Sequence, residues 1–252
     1  MKLSFVVPVD PGFARFLAEL SELGYNGVEL SLPNPHRIDQ SSICQKVEEH
    51  GLEISAIGTG QAYLKEGLSL IGPRREESIL RVREFIDFGA LVNAVVIIGL
   101  IRGKRGPLSE KEASGLLSEA LADCADYGED AGVKMALEPI NRYETDYINR
   151  VEEALGLIGD RKNLGLLIDS FHMNIEEASI ERSIALSLPH LFHVHLADSN
   201  RLAPGWGHLD FEAVLRALGD YDKYMSAEIF YEDRLEAAKQ TIDFIRDVKG
   251  RL

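Results

Sequence analysis

Four side chains able to hold a divalent cation close four consecutive β-like runs in the second half of the sequence. Glu138 follows Val133-Lys-Met-Ala-Leu, Asp169 follows Leu164-Gly-Leu-Leu-Ile, His195 follows Leu191-Phe-His-Val, and Glu228 follows Tyr224-Met-Ser-Ala. They stand 31, 26 and 33 positions apart, about one strand–helix unit each. Successive strand residues face opposite ways. Glu138 therefore shares a face with Ala136, Asp169 with Leu167 and Gly165, His195 with His193, and Glu228 with Ser226. The other faces carry Met135 and Leu137, Leu166 and Ile168, Phe192 and Val194, and Met225 and Ala227, which belong against a layer of helices. Three carboxylates and an imidazole converging in a half-buried funnel need a compensating cation. One divalent ion supplies it. An oxygen-rich set with a single imidazole suits Mn²⁺ first, with Mg²⁺ or Co²⁺ as alternatives, better than a structural zinc. His193, one layer below His195, reads as a core histidine rather than a ligand.

Such a centre suits proton transfer on a keto sugar. When the sugar chelates the ion through its carbonyl and neighbouring hydroxyl, the charge of the developing enediolate is stabilised by a Lewis acid. One carboxylate removes the carbon-bound proton and a second returns one from the opposite face, which inverts the centre. A single base relaying the proton to the adjacent carbon would interconvert aldose and ketose instead, and the residues leave that alternative open. The segment Gly99-Leu-Ile-Arg102-Gly-Lys104-Arg105-Gly brings three cations towards the same region. Arg102 is the candidate clamp for a carboxylate at the far end of a sugar acid. A merely solvated loop is the competing reading.

The elements that must position these groups alternate along the whole chain. Strand-like runs are Leu3–Val7, Gly27–Leu30, Glu53–Ile57, Ala94–Ile98, Lys134–Leu137, Leu164–Ile168, Leu191–His195 and Tyr224–Ile229. Amphipathic, helix-like stretches are Phe13–Leu23, Gln40–His50, Arg74–Leu91, Glu110–Ala131, Val151–Ile158, Ile175–Ser187, Phe211–Leu218 and Arg234–Lys249. Ser109 with Glu112 three residues on is a capping box, Pro73 suits a first turn, and Gly24, Gly51 and Gly132 suit helix ends. Eight βα units predict an α/β fold, a closed (β/α)₈ TIM barrel forming one catalytic domain over residues 1–252. A doubly wound open sheet would want a glycine-rich phosphate loop after an early strand, and Gly58-Thr-Gly60 lacks the rest of that signature.

Composition narrows the partners. With 41 acidic against 27 basic residues the net charge is −14, which argues against a nucleic-acid partner. A multi-zinc endonuclease IV-type barrel is disfavoured on the same ground, and strands one to four end in Val7, Leu30, Ile57 and Ile98, with no evident second ligand set. Cys44 and Cys124 form neither a CxxC pair nor a disulfide framework. The apolar stretch from Leu91 to Ile101 is far too short for a membrane span, and no secretory signal is evident at the start. No membrane partner and a cytoplasmic location are expected.

The loops after the last strands carry a more specific pattern. Glu138-Pro-Ile-Asn-Arg-Tyr-Glu144, Asp169-Ser-Phe-His172-Met-Asn174 and His195-Leu-Ala-Asp-Ser-Asn200-Arg201-Leu-Ala-Pro204-Gly-Trp-Gly207 occur in order, with Glu228 to follow. Over essentially the whole chain this resembles the D-tagatose 3-epimerase group of the xylose-isomerase-like barrels. The resemblance implies that Glu138, Asp169, His195 and Glu228 hold the metal and that Glu138 and Glu228 are the paired acid/bases. It implies that Glu144, His172 and Arg201 hydrogen-bond the sugar, and that the enzyme is a homo-oligomer, a dimer or tetramer. The segments Ala56–Leu64 and Glu66–Ser69, with the Arg102 loop, look similar to the 5-keto-L-gluconate epimerase branch. Two rival activities remain: an aldose–ketose isomerase of the hydroxypyruvate or xylose isomerase kind, and a non-catalytic sugar-binding barrel. The latter would tolerate loss of one glutamate, and both are present.

Overall fold

Eight parallel strands close on themselves in chain order: β1 (Lys2–Pro8), β2 (Gly27–Ser31), β3 (Glu53–Gly58), β4 (Val95–Ile98), β5 (Met135–Leu137), β6 (Leu164–Asp169), β7 (Leu191–Leu196) and β8 (Tyr224–Ala227). β8 pairs back onto β1, so the sheet has no edge. The computed structural model describes residues 1–252. Outside the barrel lie α1 (Phe13–Leu23), α2 (Gln40–Glu49), α3 (Gly60–Glu66), α4 (Arg75–Val92), α5 (Glu110–Asp130), α6 (Val151–Ile158), α7 (Ser170–Glu176), α8 (Ile180–Ser187), α9 (Phe211–Leu218) and α10 (Arg234–Arg251). The expected (β/α)₈ barrel is the fold the chain adopts. No helix is long and apolar enough to cross a membrane.

Local chemistry accounts for most boundaries. Ser109 and Glu112 form the reciprocal capping box at the start of α5. Gly24 ends α1 in the left-handed region at φ 84°, where a side chain would be strained. Pro73 stands one residue ahead of the N-cap Arg74, not inside the first turn. The stretch expected as one helix over Ile175–Ser187 is two: α7 starts directly at the end of β6, and α8 follows after Ser179 caps it. α3 lies outside the stretches expected to be helical. At seven residues each, α3 and α7 are too short to show a helical period.

Strand parity sorts the apolar residues into two sets. Met135, Leu137, Leu166, Ile168, Val194, Met225 and Ala227 belong to the large cluster between barrel and helices. Ala56, Ile97, Ala136 and Leu167 form a separate plug inside the barrel, beneath the four candidate ligands. Phe192 departs from the expectation that it faces the helices. Leu166 lies opposite Leu191 but Leu167 lies opposite His193, so Phe192 is the extra residue of a bulge, and its ring packs on the inner plug. The register beyond the bulge sets Asp169 opposite His195. A second bulge in β3, at Ser55, brings Glu29 level with Ala56.

Candidate metal centre and active site

Glu138, Asp169, His195 and Glu228 meet at the carboxyl end of β5–β8, with one ligand atom from each lying within 4.8 Å of all the others. His195 Nδ1 is 3.0 Å from Glu228, 3.5 Å from Glu138 and 3.6 Å from Asp169. β5 and β8 end one residue short of Glu138 and Glu228, whose backbone amides still bond Ile98 and Leu196 of the neighbouring strands. Asp169 also caps α7, accepting from the amides of Phe171 at 2.8 Å and His172 at 3.3 Å. Gly99 leaves room for Glu138: a Cβ there would fall 2.6 Å from a Glu138 carboxylate oxygen.

The donor set fits a divalent ion. His195 Nδ1 and Glu138 Oε1 are buried and find no hydrogen-bond partner in the protein, a costly arrangement unless something else satisfies them. Three carboxylates surround one guanidinium, that of Arg201, which bonds Asp169 at 2.5 Å and also reaches Glu228. The two uncompensated negative charges match one divalent cation. Burial favours the neutral acids, yet the Arg201 guanidinium and the neighbouring imidazoles, His195 above all, together outweigh it and hold both Asp169 and Glu228 below the usual carboxylate range. Burial likewise opposes a charged His195, but the Glu29 and Glu228 carboxylates overcome it and hold the imidazole well above its ordinary value.

The residues expected to bind sugar divide. Glu144, His172 and Arg201 line the same cavity of about 600 Å³ as Glu138, His195 and Glu228. Asn141 links them: its amide nitrogen donates to Glu144 at 2.8 Å and to His172 Nδ1 at 2.7 Å. A carboxylate only accepts, so this amide orientation is fixed. His172 then carries its proton on Nε2, 3.7 Å from Glu138. Arg201, at φ 62°, is held over the centre between the rings of Phe171 and Phe230. Its loop is tied by Asp198, which accepts from the amides of Ser199 (2.7 Å), Gly205 (2.8 Å) and Leu209 (3.1 Å).

Arg102 corrects the expectation. It is fully buried and absent from the cavity wall. Its guanidinium donates to the carbonyls of Glu138, Tyr147 and Ile148, each at 2.8 Å. These partners are backbone atoms, so the residue braces the turn after β5 and has no free fork for a substrate carboxylate. Burial pushes its pKa down to about 10.

Glu29 was missed, because strand two was taken to end at Leu30 without a ligand-type residue. It lies inside the barrel, bonded to His193 Nε2 at 2.9 Å and to His195 Nε2 at 2.9 and 3.1 Å. Parity could have found it, since Val28 and Leu30 are the outward residues of β2. A second cavity of comparable size, about 690 Å³, lies at the opposite end of the barrel, where Lys2, Glu53, Lys134 and Tyr224 line it. None of the four converging groups reaches it, so size does not identify the site.

The sequence profile of the xylose isomerase-like TIM barrels matches residues 17–248. The chain belongs to that family. A ketose 3-epimerase from Arthrobacter globiformis is 32% identical over 82% of this chain and 73% of its own. The 3-dehydro-D-guloside 4-epimerase of Escherichia coli is 27% identical over 90% of this chain and 91% of its own. Among solved structures, a D-allulose 3-epimerase from Methylomonas with D-allulose superposes with a TM-score of 0.87 at 24% identity, covering 98% of this chain and 96% of that one. This family member thus shares its barrel with sugar epimerases.

Proposed function

We propose that this xylose isomerase-like barrel is a divalent-metal-dependent carbohydrate epimerase that inverts the carbon beside the carbonyl of a keto sugar. One observation carries the reading: Glu138 and Glu228, from the first and last of four neighbouring strands, close on the same point as Asp169 and His195. Those four residues would hold the ion, Mn²⁺ by the chemistry of the donors, with Mg²⁺ or Co²⁺ next. When bound, it supplies Lewis-acid stabilisation of the negative charge that develops on the sugar oxygens.

The chain's own groups do the rest. Arg201 keeps Glu228 ionised, which suits it to take a proton. Glu138 stands across the site to return one, and His172 presents its Nε2–H beside Glu138 to hold a sugar hydroxyl. Glu144, half-exposed and braced by Asn141, offers a second hydroxyl acceptor at the cavity wall. Two carboxylates facing one planar enediolate give inversion; an aldose–ketose isomerase needs only one.

Free ketoses are the first substrate reading. A keto glycoside is the second, favoured by one observation: the 4-epimerase from Escherichia coli matches this chain over 91% of its length, whereas the ketose 3-epimerase is matched over 73%. A 5-keto sugar acid would no longer find its carboxylate partner in Arg102; Arg234 is the cation besides Arg201 on the cavity wall.

The test is turnover in deuterated water with Mn²⁺, Mg²⁺ or Co²⁺ and a panel of ketopentoses, ketohexoses, keto glycosides and keto-sugar acids. Deuterium entering next to the carbonyl of an inverted product is expected. Label appearing only at the carbon of an aldose product, or in no compound of the panel, defeats the assignment.

A further inference from the structure

We propose that Glu29 fixes the ring of His195 as a metal ligand, and that His193 is the strut that holds Glu29 in place. The inference rests on the reading of His195 as a ligand and adds two residues that make no contact with the ion. β2 and β7 are not neighbours in the barrel; the three side chains join them across its interior. Glu29 is 2% exposed, and its only ion-pair partners are the two imidazoles. Both rings direct Nε2 at its Oε2 from 2.9 Å and stand edge to face, 5.6 Å apart.

The consequence follows from donor counting. A carboxylate can only accept, so each ring carries its hydrogen on Nε2. For His195 that leaves Nδ1, the atom aimed at Glu138, Asp169 and Glu228, as the lone pair available to a cation. A carboxylate behind a ligating imidazole fixes its orientation and raises its basicity, and its loss typically costs 10- to 100-fold in metal affinity. His193 matters because a carboxylate bonded only at His195 would be free to swing. With both imidazoles on it, the carboxylate plane is pinned. The same three residues offer ligand atoms within 4.8 Å of one another, so a second ion at this spot is the competing occupant, and stoichiometry separates the two.

Calorimetric titration of the chelator-stripped protein with Mn²⁺ tests the proposal alongside Glu29→Gln and His193→Phe. The wild type should bind one ion. Glu29→Gln should bind it about 10- to 100-fold more weakly while melting as a folded protein, with His193→Phe weakened less. In the Mg²⁺-loaded wild type, long-range ¹⁵N–¹H spectra should show His195 protonated on Nε2, a signature that Glu29→Gln disturbs. Should Glu29→Gln fail to fold, His193→Phe and the wild-type spectrum still decide. Unchanged affinity in Glu29→Gln, a ring protonated on Nδ1, or two ions in the wild type with one lost on substitution would each overturn it. A wild type that binds no ion fails earlier, at the metal centre itself.

Discussion

Arg201 approaches Asp169 to 2.5 Å, and its other arm reaches Glu228, so one guanidinium ties together two of the four groups that converge at the barrel mouth. Together with His195, it holds both acids ionised against the cost of burial. Arg201 and the proposed divalent ion would therefore share the neutralisation of one cluster.

That sharing predicts the behaviour of Arg201→Met. Removing one partner of a buried ionic pair typically costs about 3–5 kcal/mol, because the charge left behind has no compensation. The metal-free variant should unfold at a markedly lower denaturant concentration than metal-free wild type. Without the Arg201 cation beside Asp169 and Glu228 the variant should bind Mn²⁺ more tightly, so one Mn²⁺ concentration should stabilise it more than wild type and narrow the gap, each tenfold in affinity adding about 1.4 kcal/mol. If Mn²⁺ stabilises neither protein, the carboxylates do not hold an ion.

Asp198 sets an acid limit on the loop that carries Arg201. Burial raises its pKa, but the amides it accepts from Leu209, Ser199 and Gly205 outweigh that and leave it below the usual value. A group whose folded pKa is depressed stabilises above its unfolded pKa, about 3.9 for aspartate, and that stabilisation is lost as pH falls through the folded value. Asp198→Asn should thus be less stable than wild type at pH 7, with the difference shrinking below about pH 4. Urea midpoints across that range measure it; a gap that widens in acid contradicts the sign.

The barrel and the convergence of four acid or imidazole side chains were legible because they repeat. Four acid or imidazole positions close four strands, and the alternation of Ala136, Leu167 and Ser226 with bulky residues fixed which way they point. What escaped lacked a repeat. Glu29 is a single acid inside an apolar strand, and its partners His193 and His195 lie more than 160 residues away. Phe192 was assigned to the wrong face because a bulge breaks parity without a sequence mark. Arg102 was misread because its partners are carbonyls, which every residue has.

Arg102 should accordingly behave as a structural cation. Arg102→Met leaves the carbonyls of Glu138 and Tyr147 without a donor, while that of Ile148 keeps the Ile140 amide, and orphaned buried groups cost about 1–3 kcal/mol each. Ile148 sits at φ 56°, a region a β-branched residue avoids, so its turn depends on outside support. The variant should lose about 3 kcal/mol in chemical denaturation. Its preference between sugar acids and neutral ketoses should stay the same; a selective loss of activity on acids would restore Arg102 as a carboxylate clamp.

Gly99 and Glu138 provide a pair of perturbations at one carboxylate. Glu138→Gln removes one of the two proposed acid/base groups, an effect of about 10²–10⁴ in turnover. Gly99→Ala keeps the glutamate but puts a methyl group 2.6 Å from its oxygen, so the carboxylate must move. The backbone at Gly99, with φ −93° and ψ −118°, lies where residues with a side chain seldom sit, so Gly99→Ala also carries local strain. Urea midpoints separate that strain from the displacement of the Glu138 carboxylate, and Glu228 on the far strand is left in place. Both variants should stay folded and lose most deuterium incorporation into product, Gly99→Ala less completely. If Gly99→Ala turns over at the wild-type rate, the position of Glu138 does not limit the proton transfer, and its assignment as one of the two acid/bases loses its geometric basis.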